Sequence, residues 1–160
     1  MTNITLSQKE RMLLEDQKSH EEICIQKYTN YANQAQDPQL KQLFNTYAQQ
    51  EQEHYNTINQ ILSGTVPNMN AQGGQQQKQQ NMQANTQASG STGMTNSNDA
   101  ALCTDLLMTE KYVSGAYNTA IFECRDANLR NVLNHIQKEE QQHGEGIFNY
   151  MQSNGMYNVK

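Results

Sequence analysis

No apolar run in this chain approaches the ~20 residues that cross a bilayer, so neither a membrane-spanning helix nor a membrane partner is expected. A basic excess is missing too. The formal net charge is −5 and the isoelectric point about 5.3, the wrong sign for a phosphate backbone, which excludes nucleic acid as a partner. The three cysteines, Cys24, Cys103 and Cys124, are odd in number and contain no C-x-x-C pair. That argues against a disulfide scaffold and a zinc ribbon, and for a reducing interior at synthesis. The opening Met1-Thr2-Asn3-Ile4-Thr5 lacks the charged and apolar regions of a signal peptide, so cytoplasmic synthesis is expected. Tryptophan is absent and only 35% of the residues are hydrophobic, yet a length of 160 residues suits one domain with a real core. The apolar residues must therefore be concentrated somewhere.

They are concentrated at the two ends. Residues 63–98 are rich in Gln, Asn, Gly, Ser and Thr and hold almost no large apolar side chains. Such a stretch cannot offset its ordering entropy and reads as a flexible linker. It separates a first helical hairpin, residues 1–62, from a second, residues 99–160, and the two are expected to form one bundle domain. The halves also repeat each other without a gap at an offset of 89 residues. Identities fall at Leu13/Leu102, Asp16/Asp105, Glu21/Glu110, Tyr28/Tyr117, Asp37/Asp126, Leu40/Leu129, Asn45/Asn134, Glu51/Glu140, Gln52/Gln141, His54/His143 and Ile58/Ile147.

Helix boundaries are signposted. Ser7-Gln8-Lys9-Glu10 is a capping box for the first helix. Asp37-Pro38 opens the second, Asn98 or Asp99 the third and Asp126 the fourth, while Ser63-Gly64 and Asn154-Gly155 end the second and fourth. The short turns at 36–38 and 125–127 predict two antiparallel hairpins. Each helix carries one stripe with alternating spacings of three and four, the pattern of a bundle core. The stripes are Leu14, Gln17, Glu21, Cys24, Tyr28, Tyr31, Ala35; Leu40, Phe44, Tyr47, Glu51, His54, Ile58, Ile61; Cys103, Leu106, Glu110, Val113, Tyr117, Ala120, Cys124; and Leu129, Leu133, Ile136, Glu140, His143, Ile147, Tyr150.

Four glutamates and two histidines thus fall on core positions. Each Glu-x-x-His pair, Glu51/His54 and Glu140/His143, has a second glutamate 30 residues upstream, Glu21 and Glu110. The midpoints of these spacings fall in the two turns, which sets each pair of glutamates at one height. Buried carboxylates normally protonate, and four at one level repel each other. Two divalent cations remove both problems, and carboxylate-rich ligation with one imidazole per metal suits iron or manganese. A single Glu/His contact in a core reads first as a hydrogen-bonded pair; two with the same spacing turn the reading towards metal. Tyr28 and Tyr117, seven residues after Glu21 and Glu110, read either as plain core or as hydrogen-bond donors to the carboxylates. Asp16/Asp105 reads as a solvated or capping pair. His20, Glu22, Glu53, Glu123, His135, Glu139 and Glu145 read as surface, and the cysteines as small core residues.

The sextet resembles the ferritin-like superfamily, which includes bacterioferritin, rubrerythrin and manganese catalase. The resemblance implies a four-helix bundle whose hairpins are joined by a long crossover linker. It also implies two iron or manganese ions, with Glu51 and Glu140 bridging, Glu21 and Glu110 terminal, and His54 and His143 one nitrogen ligand each. The chain departs from rubrerythrin in lacking a cysteine-rich iron domain. The second half has a closer likeness. Asp105-Leu-Leu-Met-Thr-Glu110-Lys-Tyr-Val-Ser-Gly115-Ala-Tyr117-Asn-Thr-Ala120, Leu129-Arg-Asn-Val-Leu133 and Asn149-Tyr-Met-Gln-Ser-Asn-Gly-Met-Tyr157 are similar to the Coat F family of endospore coat proteins. This likeness implies a structural or accessory coat protein, made in the mother cell and laid into the spore coat among other coat proteins. A di-metal oxidoreductase or peroxide scavenger is the alternative, and the resemblance itself establishes no reaction. The linker's slack also permits hairpin exchange between chains, hence a homodimer.

Overall fold

The computed structural model describes residues 1–69 and 97–160. The Gln/Asn-rich residues 70–96, most of the stretch read as a flexible linker, lie outside the described residues. Four long helices account for nearly all of the rest: α1 (Gln8–Gln34), α2 (Pro38–Leu62), α3 (Ser97–Glu123) and α4 (Ala127–Ser153). They pack as two pairs, α1 with α2 and α3 with α4, and the pairs meet chiefly through α1 and α3.

The capping chemistry sets the ends. Ser7 Oγ accepts the Glu10 N–H at 3.1 Å, and Glu10 Oε2 accepts the Ser7 N–H at 2.7 Å, completing the capping box of α1. Asp37 caps α2 through the Gln39 N–H, with Pro38 in the first turn, and Asp126 caps α4 through the Leu129 N–H. Gly64 and Gly155 take positive φ, 96° and 69°, just past α2 and α4, where a side chain would be strained. The start of α3 differs from expectation. The helix begins at Ser97, so Asn98 and Asp99 sit inside its first turn.

The side chain of Asp99 crosses to the other pair instead. Its carboxylate accepts the backbone N–H groups of Gln36 (2.9 Å) and Asp37 (3.0 Å) in the α1–α2 turn. At the opposite end, Glu10 Oε1 accepts the Arg125 N–H (2.9 Å) in the α3–α4 turn, and Oε2 takes Arg125 Nη2 at 3.0 Å. Glu10 and Asp99 are 89 positions apart, as are Gln36 and Arg125. Each pair therefore uses an acidic side chain in its first helical turn to satisfy the other pair's connecting turn.

The four stripes meet in one core containing Leu14, Leu40, Phe44, Ile58, Ile61, Leu106, Leu129, Leu133, Ile136 and Ile147, all almost fully buried. Burying each such side chain stabilises the fold by about 1.5–3 kcal/mol. The three cysteines are free and buried in it. Three tyrosines of the stripes, Tyr31, Tyr47 and Tyr150, are only half-buried. Tyr31 and Tyr150 carry hydroxyls that need polar partners, and they find Asp105 (2.7 Å) and Asp37 (2.6 Å) at the seam. Asp105, read as solvated or capping, also takes Lys27 Nζ at 2.9 Å and ties α3 to α1; Asp16 is exposed.

Two short strands were not expected. β1 (Thr2–Asn3) pairs antiparallel with β2 (Thr65–Val66), Thr2 opposite Val66. β2 lies inside the stretch read as linker, yet Val66 is buried. Two residues per strand leave no periodicity to read.

Candidate metal centre

All six residues selected by spacing lie in the middle of the core, each 3% exposed or less. Glu21 comes from α1, Glu51 and His54 from α2, Glu110 from α3, Glu140 and His143 from α4. One helical turn separates each glutamate of a Glu-x-x-His pair from its histidine, so both point the same way. The ligand atoms form two overlapping sets. Glu21, Glu51, His54 and Glu140 offer one group, and Glu51, Glu110, Glu140 and His143 the other; within each, the atoms lie within 4.8 Å of one another. Glu51 and Glu140 belong to both. Each contributes one oxygen near each imidazole.

The contacts reciprocate across the two halves. His54 Nδ1 is 3.1 Å from Glu51 Oε2, 3.1 Å from Glu140 Oε1 and 3.7 Å from Glu21 Oε2. His143 Nδ1 is 3.1 Å from Glu51 Oε1, 3.5 Å from Glu140 Oε2 and 3.6 Å from Glu110 Oε1. The two rings face each other, 5.8 Å apart and 23° from parallel. Tyr28 donates its hydroxyl hydrogen to Glu110, and Tyr117 donates its own to Glu21. Each tyrosine thus serves the glutamate of the other half, and neither is plain core.

One nitrogen facing three carboxylates cannot satisfy them all with a single N–H. Oε2 of Glu21, Glu110 and Glu140 is buried with no hydrogen-bond partner. Orphaned buried oxygens of this kind are costly, and a divalent cation held in each set would take up such oxygens as ligands. The donor set of four carboxylates and two imidazoles fits two such ions in charge and in ligand type.

Without cations, protons must do the compensating. Burial, together with the charges of Glu21, Glu51 and Glu110, holds Glu140 well above the usual carboxylate range. Glu51 is pushed up to about 7, by burial first, against hydrogen bonds from both imidazoles. Glu21 moves the other way, to about 2: burial opposes its ionisation, but hydrogen bonds from His54 and Tyr117 and the His54 charge outweigh it. Glu110 is lowered likewise, against burial, by His143 and Tyr28. Burial works against charge on His54 and His143, yet the surrounding carboxylates raise both well above the usual imidazole range. Burial and the four glutamates also push the Cys24 thiol far up, and Cys24 belongs to neither ligand set.

Two partners of the centre were not anticipated from the sequence. Glu139, read as surface, is half-buried, and its Oε2 accepts the His54 Nε2–H at 2.7 Å. Gln50 Oε1 accepts the His143 Nε2–H at 2.7 Å. Both residues immediately precede a Glu-x-x-His glutamate, and they are 89 positions apart. That repeated position was the available signal. Donation from Nε2 fixes each imidazole so that Nδ1 faces the carboxylates. Tyr47 is a third: its ring stacks on His143, with centroids 4.3 Å apart. The surface reading holds for Glu22, Glu53, Glu123, His135 and Glu145, which are exposed, while His20 is half-buried against Gln17.

No curated protein and no solved structure is significantly similar to the chain. Among protein families, residues 98–160 match the Coat F domain. The match spans α3, the second turn, α4 and the tail beyond, with Glu110, Glu140 and His143 inside it. The second helical pair of this chain is a Coat F domain.

Proposed function

We propose that the chain is a structural or accessory component of the spore coat, built as a ferritin-like four-helix bundle around a carboxylate-bridged two-metal centre. Glu51 and Glu140 bridge, Glu21 and Glu110 are terminal, and His54 and His143 each supply one nitrogen, with iron or manganese as the metals. The observation that carries the centre is the pair of overlapping ligand sets sharing Glu51 and Glu140. The coat assignment rests on the Coat F domain, and with it come mother-cell synthesis and other coat proteins as partners. Contacts between elements support two antiparallel hairpins. Residue numbers rise on one helix as they fall on its neighbour: Arg11 meets Leu62 and Tyr28 meets Phe44, while Gln137 meets Ser114 and His143 meets Glu110.

Burial favours the structural reading over a peroxide-scavenging enzyme. Two surface depressions, one along Asn3 to Thr5 and Arg125, the other between Ile23 and Tyr112, include none of the six residues. The test is metal content. Protein purified without chelator and loaded with ferrous iron or manganese should hold about two ions per chain. Glu51→Ala/Glu140→Ala should hold none. Uptake no greater than that of the double variant refutes the centre. Peroxide consumption by the loaded protein, absent from the double variant, would replace the structural reading with the enzymatic one.

A further inference from the structure

The two halves of the centre match in every ligand but differ in what stands behind the histidines. His54 donates its Nε2–H to a carboxylate, Glu139, at 2.7 Å. His143 donates its Nε2–H to a neutral amide oxygen, Gln50, at the same distance. The substitution of an amide for a carboxylate falls at equivalent positions, so geometry is conserved and charge is not. A carboxylate behind an imidazole makes its other nitrogen a stronger donor. It also adds a negative charge on one side of the centre only, where a cation benefits from it. The second oxygen of Glu139 faces His135 Nε2 at 3.4 Å, and His135 is about half exposed, so water screens that contact.

We infer that the two metal positions are unequal: the position formed by Glu21, Glu51, His54 and Glu140 takes a divalent cation first and more tightly, because Glu139 backs His54 while Gln50 backs His143. Glu139 and Gln50 are positioning residues acting through the histidines. This rests on the two-metal reading above. It extends that reading from a symmetric pair to an ordered one, with a mixed or half-loaded state as the intermediate.

Cobalt(II) is the probe, added to the metal-free full-length protein at one fixed pH and followed by calorimetry and visible absorption. The wild type should bind in two steps whose affinities differ by about 10- to 100-fold. Glu139→Gln keeps an acceptor for the His54 N–H and removes only the charge. It should weaken the first step by about 10-fold or more and leave the second in place. Gln50→Glu should tighten the second step and close the gap from the other side. The double exchange, Gln50→Glu with Glu139→Gln, restores the composition and should restore the gap. Thermal melts of the metal-free variants show that each is folded. Two equal steps in the wild type, or both steps moving together in the single variants, overturns the inference and leaves the two-metal centre standing. No cobalt uptake by the wild type overturns both.

Discussion

Among the described residues three glycines lie inside helices, and the structure assigns different signs to replacing them with alanine. Gly115 in α3 has open space where a Cβ would go. At Gly144 in α4 a Cβ would meet Leu107 Cδ1 at 3.8 Å, an ordinary contact. At Gly146, one turn beyond His143, it would stand 1.8 Å from the Tyr47 hydroxyl oxygen and 3.1 Å from Cζ. Helix propensity favours alanine by about 0.5–1 kcal/mol at all three positions. At Gly115 and Gly144 nothing opposes it, so both variants should gain about that much. At Gly146 the tyrosine must move, and its ring is held between His143 (4.3 Å) and Tyr28 (5.6 Å). Overpacking costs about 1–3 kcal/mol, and loss of the ring stack about 0.5–1.5 kcal/mol more. The net for Gly146→Ala is therefore a loss of about 1–3 kcal/mol, read from urea denaturation followed by circular dichroism. Tyr47→Phe removes the colliding oxygen and keeps the ring. In that background the remaining contact is the 3.1 Å one, which a small shift relieves, so Gly146→Ala should be close to neutral. The double-mutant cycle should show coupling of about 1 kcal/mol or more. A Gly146→Ala protein stabilised as much as Gly144→Ala would refute the seating of Tyr47 against α4.

Asp99→Ala leaves the Gln36 and Asp37 N–H groups without their acceptor and should cost about 2–3 kcal/mol in the same assay, with Asp99→Asn recovering part of it. Glu10 is held down to about 2 from an ordinary 4.5, first by its hydrogen bond from Arg125 and against burial. A depressed carboxyl contributes stability in full above its unfolded value and loses it as pH falls through the folded one. The stability difference between wild type and Glu10→Gln should therefore be full near neutral pH and vanish between 4.5 and about 2. Its size should be about 1–2 kcal/mol after discounting for the exposed guanidinium. Metal binding should release protons, because Glu51, Glu140, His54 and His143 are all shifted towards their protonated forms. Affinity should thus fall as pH is lowered, and an indicator dye in weak buffer should register the release on cobalt addition; uptake without release contradicts the charge assignment.

The all-helical class was legible because periodicity is a strong signal over helices of 25 to 27 residues. The glutamates and histidines that converge were legible because stripe position and distance from a turn are both read directly from numbering. Glu139 and Gln50 were not, and the reason is geometric. Each sits one residue before a stripe position, about 100° around the helix, where sequence alone reads solvent. Only the side-chain contacts reaching from α2 to α4 turn that flank inward. Asp105 is partly solvated, as read, but its partners Lys27 and Tyr31 were not legible because they lie on the other pair. Its equivalent, Asp16, is exposed, so the repeat itself gave no guidance. The third helix start failed as a cap because Asp99 had a better use for its carboxylate across the bundle.

The exchange between Glu10 and Asp99 means that neither pair is self-sufficient. Residues 98–160 alone hold Glu110, Glu140 and His143, with Asp99 aimed at a turn they do not contain. Residues 98–160 are thus half of a lock whose other half is Glu10 and the turn at Gln36 and Asp37. Each half presents the same kind of contact, an acidic side chain to the backbone N–H of the other half's turn, so both ends of the bundle are closed alike. Parting the two pairs therefore strips the acceptor from both turns at once, so the ends of the bundle open together or not at all.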